Sequence, residues 1–169
     1  IDELCVLLGV AKPDPPVPEE RLNVYVHEKR VDRRHRDGST TAQWIDCYKK
    51  DHFVLEAKQG SDRAARRAAD PNQPSLLPAE ATAIRGGTAR RGTAAWDAAM
   101  RRAYRQAVGY VVDLPADHRP PPFVLLVDVG GVVEVYADFS GQGRNYTQFP
   151  DRRSFQIRID DLRDAAIRE

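Results

Sequence analysis

Three side chains in one short stretch have the types and spacing that phosphodiester chemistry uses: Asp46, then Glu56 and Lys58 on either side of Ala57. A carboxylate facing a Glu-x-Lys across a hairpin can hold a divalent cation beside a phosphate ester. Strand side chains repeat with period two, so Glu56 and Lys58 share a face. With Lys50, Asp51 and His52 as the loop, Lys49 opposes Phe53, Asp46 opposes Glu56 and Trp44 opposes Lys58. One face then carries Trp44, Asp46, Tyr48, Val54, Glu56 and Lys58. The other carries Ile45, Cys47, Phe53, Leu55 and Ala57, is wholly apolar, and is expected to face the core. A two-residue loop would move Asp46 to that apolar face.

Asp46 and Glu56 are hard oxygen ligands suited to Mg²⁺ or Mn²⁺, with water and phosphate oxygen completing the shell. A cation held there lowers the pKa of a water and offsets charge building on phosphorus. Lys58 can polarise the same water or stabilise the charged transition state. Two close carboxylates repel, so without a cation one of them surrenders its charge more readily. Glu28, in Val26-His27-Glu28-Lys29, is a candidate accessory carboxylate; an exposed Glu paired with Lys29 or Arg30 is an equal alternative. The Asp/Glu/Lys spacing alone matches the wet face of many hairpins. Phe53-Val54-Leu55 makes this strand largely buried, however, and a buried Glu needs a partner or a purpose.

The elements around the hairpin read as follows. Residues 93–114 form the strongest helix, stopped by Pro115, with Trp96, Met100, Ala103, Ala107 and Val111 as the stripe facing the sheet. Gln106 and Tyr110, four apart, share a second face with Arg102, rotated away from that stripe. Gln106 is placed to hold a water or the scissile phosphate, and the Tyr110 hydroxyl to reach a backbone phosphate. Residues 123–129 are an apolar strand, Gly130-Gly131 a two-residue hairpin signal, and residues 132–139 the returning strand. Residues 154–159 suggest an edge strand and 160–169 a last helix. Upstream, residues 2–8 read as a helix stopped by Gly9, 12–18 as an extended Pro-rich connector, 22–28 as a strand and 32–39 as a polar loop. Residues 61–91, rich in Ala, Arg, Gly and Pro, read as a long loop or insertion. This order implies an α/β domain with a mixed sheet covered by helices.

At 169 residues the chain is one domain, 1–169, large enough to bury a core. A net charge of +1 does not by itself argue for nucleic acid. Arg33, Arg34 and Arg36 cluster in one segment and Arg101, Arg102 and Arg105 in another, either as phosphate contacts or as a solvated, salt-bridged surface. Cys47 reads as a buried free thiol, and with Cys5 makes neither a zinc nor a disulfide pattern. The four histidines, His27, His35, His52 and His118, fit no ligand spacing and read as surface residues. No run suggests a membrane span or a signal peptide, so a cytoplasmic protein is expected. Starting without Met inside a helical run and ending in another, the sequence reads as a fragment of a longer multidomain chain.

Asp46, Glu56-Ala57-Lys58 and the later Gln106-x-x-x-Tyr110 resemble the PD-(D/E)xK nuclease superfamily in its RecB-like form. Leu7-Leu8-Gly9, Val26-His27-Glu28-Lys29, Ile45-Asp46-Cys47-Tyr48, His52 through Gln59, Ala103 through Gln106 and Ala137 through Gly141 are similar to the N-terminal domain of MmeI-like proteins. The resemblance implies a restriction-endonuclease-like αβα fold and a Mg²⁺-dependent endonuclease domain acting on double-stranded DNA. It implies Asp46, Glu56, Lys58, Gln106 and Tyr110 as the catalytic set. It further implies downstream parts of the same chain, an S-adenosylmethionine-dependent methyltransferase and a target-recognition domain, in a restriction–modification or phage-defence protein. S-adenosylmethionine would serve only those parts. The alternative is a catalytically silent module that keeps the fold for DNA binding or as a scaffold.

Overall fold

β-Branched and aromatic residues concentrate in two stretches, 25–58 and 123–137, and in the computed structural model both enter one sheet. Residues 1–61 and 89–168 are described. Helix α1 (Asp2–Leu8) is followed by a 3-10 turn (Glu20–Leu22), β1 (Tyr25–Arg34), β2 (Thr40–Lys49) and β3 (Phe53–Lys58). Then come α2 (Ala94–Val112), β4 (Phe123–Asp128), β5 (Val132–Ala137), β6 (Thr147–Gln148), β7 (Gln156–Arg158), a 3-10 turn (Asp161–Arg163) and α3 (Ala165–Arg168). The sheet has seven strands in the order β1-β2-β3-β4-β5-β6, with β7 also pairing β5. Only β3 and β4 run parallel; the other pairings are antiparallel. A parallel pair cannot be joined by a tight turn, so the chain must cross over between them, and α2 lies on that crossover.

Thr93 caps α2 by accepting a hydrogen bond from the Trp96 amide, and the helix ends before Pro115. Its apolar stripe covers Val31, Ile45, Tyr48, Val54, Val124 and Leu126, and this is the larger core. Cys47, Leu55, Val127 and Val133 form a smaller cluster on the opposite face, against Ile1, Phe53 and Ala57. The hairpin register is the expected one: Lys49 pairs Phe53 and Cys47 pairs Leu55. The expected division of labour between its faces is not. The larger core lies on the face that carries Glu56, because the crossover helix covers that face.

A second departure concerns Asp46. Ile45 packs in the same cluster as Tyr48, three positions away, which strict alternation forbids. The switch falls where Glu28 takes φ +51°, between the pairs His27↔Cys47 and Lys29↔Ile45. The β2–β3 ladder stops at Cys47↔Leu55, so the expected Asp46–Glu56 and Trp44–Lys58 pairs do not form as ladder pairs.

Smaller corrections have local causes. The first strand runs through Arg34 instead of ending near residue 28, since an edge strand tolerates outward charges in solvent. The Gly130-Gly131 turn uses three residues, 129–131, with Gly130 at φ +77° and the Gly131 amide bonded to the Asp128 carbonyl at 2.8 Å. The C-terminal helix shortens to a 3-10 turn followed by α3. The reading of 61–91 falls mainly outside the described residues; at its edges Ser61 and Arg90 form an isolated parallel bridge.

Candidate functional site

β3 runs into the space beneath α2 with Glu56 and Lys58 both on the helix-covered face. Glu56 is only 2% exposed. One carboxylate oxygen, Oε1, accepts a hydrogen bond from Lys58 Nζ in a tight ion pair. The other, Oε2, is buried and has no hydrogen-bond partner. Such an orphan is costly, so its presence asks for a ligand. Burial holds the Glu56 pKa above the usual carboxylate range; the Lys58 hydrogen bond opposes the shift and the Asp46 charge adds to it.

Asp46 approaches from β2. Its Oδ2 accepts a hydrogen bond from the Ala57 amide at 2.6 Å, taking the place of the ladder bond that β2 no longer provides. Asp46 therefore sits at the seam between β2 and β3, electrostatically coupled to Glu56 though not directly opposite it. Glu28 is exposed and lines a shallow cavity with Asp46, Asp2 and His27, so this candidate accessory carboxylate lies on the same cavity as Asp46.

α2 supplies the opposite wall. Gln106 Oε1 lies 3.5 Å from Lys58 Nζ, while its Nε2 donates to the Tyr110 hydroxyl. That hydroxyl is left with its own proton to donate. Burial raises the Tyr110 pKa; the Gln106 bond lowers it, and the Glu56 and Asp46 charges raise it further. Tyr110 thus stays a neutral donor at pH 7. It is also part of the large core, although its helix face was expected to turn away from it. Five of the expected side chains, Asp46, Glu56, Lys58, Gln106 and Tyr110, are brought together here.

The basic residues are placed less uniformly. Arg33 Nε donates to Asp113 Oδ2 at 2.8 Å, and its guanidinium lies across Gly109, where a Cβ would come within 2.5 Å of Nη2. Arg34 and Arg36 are exposed, and Arg102 is exposed one turn before Gln106. Sequence reasoning missed several buried polar groups, among them Lys29, His118 and Asp128. His118, expected at the surface, is 5% exposed, and its Nδ1 lies 2.8 Å from the Tyr48 hydroxyl. Asp128 is fully buried behind Lys58; the signal was a charged residue ending an apolar strand just before Val129 and two glycines. Cys47 is a buried thiol as expected, its pKa pushed up to about 12 by burial.

Among the described residues no group of three or more His, Cys, Asp or Glu side chains converges as a metal cage. A cation placed here would find two carboxylates, Asp46 and Glu56, as its protein ligands. That fits Mg²⁺, which keeps several waters and takes one or two carboxylates plus substrate phosphate. No described helix is long and apolar enough to cross a membrane.

Fold and site together define a mixed-sheet α/β protein whose crossover helix covers an acidic, lysine-bearing cluster on a parallel strand pair. Over residues 1–168 the chain matches the family model described as MmeI, N-terminal domain, and it belongs to that family. Membership ties it to restriction–modification. No curated protein and no solved structure matches the chain.

Proposed function

We propose that this domain is a Mg²⁺-dependent DNA endonuclease with a PD-(D/E)xK site on a restriction-endonuclease-like αβα fold. The observation that carries the reading is the unpartnered Oε2 of a buried Glu56, beside Asp46 and ion-paired to Lys58. Most buried polar atoms find a partner, so an orphaned carboxylate oxygen beside a second acid favours a ligand over a purely structural ion pair. Asp46 and Glu56 would hold the cation, which when bound supplies Lewis-acid charge to the attacking water and the phosphoryl oxygen. Lys58, 37% exposed at its side chain, can reach a phosphate entering from solvent and stabilise its developing charge. Gln106 orients Lys58 through Oε1, and Tyr110 donates its hydroxyl proton to a phosphate oxygen. Arg34, Arg36 and Arg102 are free to meet the DNA backbone, as is Arg33 if it exchanges Asp113 for phosphate. Sequence choice and methylation, with its S-adenosylmethionine, belong to other domains of a larger restriction–modification or phage-defence chain.

A catalytically silent nuclease-fold module is the competing reading. It is favoured by Asp46 committing one oxygen to the Ala57 amide. Calorimetric Mn²⁺ titration separates the two, combined with cleavage of duplex DNA in Mg²⁺. The nuclease reading expects Mn²⁺ to bind and binding to weaken sharply in Asp46→Ala and Glu56→Ala; Lys58→Ala should bind but not cut. Mn²⁺ that does not bind, or binds equally well to both Ala variants, removes the basis of the proposal.

A further inference from the structure

Asp128 belongs to no part of the cluster just described, yet it is more completely enclosed than any member of it, with no exposed surface. It ends β4, and its register partner on the parallel neighbour is Lys58. Four donors converge on its carboxylate. Oδ1 accepts from the Gly60 amide at 2.7 Å and from Arg91 Nη2 at 3.0 Å. Oδ2 accepts from Arg91 Nε at 2.6 Å and from Trp96 Nε1 at 3.0 Å. Arg91 also donates to the Val129 carbonyl at 2.6 Å. These donors come from three places: the chain leaving β3, the chain entering α2, and the first turn of α2 itself.

Two glycines make this convergence possible. A Cβ at Gly60 would lie 2.7 Å from Asp128 Oδ1, and one at Gly131 would lie 2.6 Å from both Asp128 Oδ2 and Arg91 Nε. Close backbone approach, and not a turn conformation, is what requires glycine at these two positions. A buried carboxylate met by a bidentate guanidinium and two further donors is fully satisfied, and each bond restricts the others.

The geometry points to Asp128 as the positioning residue of the Glu56–Lys58 site, clamping the end of β3 to the start of α2 so that Lys58 stays between Glu56 and Gln106. Lys58 stands two residues before Gly60, on the strand that the clamp seizes. Gln106 stands on the helix whose first turn is seized by the same carboxylate through Trp96. Without the clamp, the placement of β3 against α2 rests on side-chain packing and on the 3.5 Å contact of Lys58 Nζ with Gln106 Oε1, which a small drift would break. Misplacement of a catalytic group by about 1 Å can cost about 100-fold in rate.

The inference rests on the endonuclease reading for its kinetic readout, and a second readout is independent of it. Asp128→Asn and Arg91→Lys are compared in the full protein with Val133→Ala, a packing change in the smaller core. We expect both clamp variants to lower kcat for duplex DNA cleavage about 100-fold while KM and Mn²⁺ affinity stay within a few-fold. The packing variant lowers the melting temperature yet keeps kcat. The second readout is the ammonium signal of Lys58 in protein labelled with ¹⁵N-lysine, assigned by its disappearance in Lys58→Arg. It should be protected from exchange in the parent and lose protection in both clamp variants. Unchanged kcat and an unchanged Lys58 signal in Asp128→Asn would overturn the assignment, as would an equal loss of kcat in Val133→Ala. If the parent itself does not cut, the endonuclease reading fails, while the Lys58 signal still decides whether Asp128 positions it.

Discussion

Replacing Glu56 by Gln should make the protein more stable without metal and blind to metal. Glu56 is almost wholly enclosed and keeps one oxygen without a partner. An unsatisfied buried polar atom costs about 1–3 kcal/mol, and more when it carries charge. The compensating ion pair is weak by comparison, because Lys58 is 37% exposed at its side chain; such a pair contributes at most ~1 kcal/mol. The amide keeps Oε1 to accept from Lys58 and removes the buried charge, while its Nε2 inherits the unpartnered place of Oε2, for a net gain of about 1 kcal/mol. For a chain of this length each kcal/mol moves the melting temperature by about 2–4 °C. Because burial raises the folded pKa of Glu56, the folded state holds its proton more tightly than the unfolded chain. Parent stability therefore falls as pH rises from the ordinary carboxylate range through the folded value, and Glu56→Gln should lack that fall. Mn²⁺ reverses the ranking. At 100 times its Kd a ligand specific for the folded state adds about 2.7 kcal/mol, so the parent should overtake the variant, whose melting temperature stays fixed. Thermal melts of both proteins at pH 7, across a Mn²⁺ series with Ca²⁺ and EDTA controls, read all of this at once. A less stable Glu56→Gln in EDTA, or a Mn²⁺ shift that survives the substitution, would refute the reasoning.

Two further outcomes follow from the rest of the structure. Gly109→Ala should be nearly neutral alone, because a helix gain of about 1 kcal/mol is offset by displacing Arg33 from Asp113. In an Arg33→Ala background it should stabilise by the full ~1 kcal/mol, and equal urea midpoint shifts in both backgrounds would dismiss Arg33 as the reason for glycine. His118 has its pKa lowered by burial first, with Lys50 and Lys29 lowering it and Asp117 and Asp51 raising it. The unfolded chain therefore binds the extra proton first, and stability should drop as pH falls below about 6.5. His118→Gln, which can still accept from Tyr48, should flatten that drop between pH 7.5 and 5.5 in thermal melts.

Much of the site was legible before any coordinates because strand and helix periodicities are local properties of the chain. Glu56 and Lys58 share a face by parity alone, and Gln106 and Tyr110 neighbour each other by helical spacing alone. The hairpin register was legible too, since a three-residue loop, unlike a two-residue one, keeps Cys47, Leu55 and Ala57 on one apolar side. Periodicity could not say which side of the hairpin would carry the larger core. That depended on where the crossover helix landed, and it landed on the face of Glu56, which is why the acid is buried at all. Nor could it foresee that the alternation slips at Asp46, because the slip falls where the β1–β2 ladder skips Glu28, eighteen positions away and at φ +51°.

By itself, then, the sequence determined the elements, the hairpin register and the spacing of the acid–lysine pair, all set by interactions over a few residues. Tertiary structure alone decided the environment of each group. It left Glu56 Oε2 unpartnered, turned Asp46 toward the β3 backbone, took His118 from the surface and enclosed Asp128 among four donors. Burial and desolvation come from whatever the rest of the chain lays over a residue, and that is a property no short stretch contains.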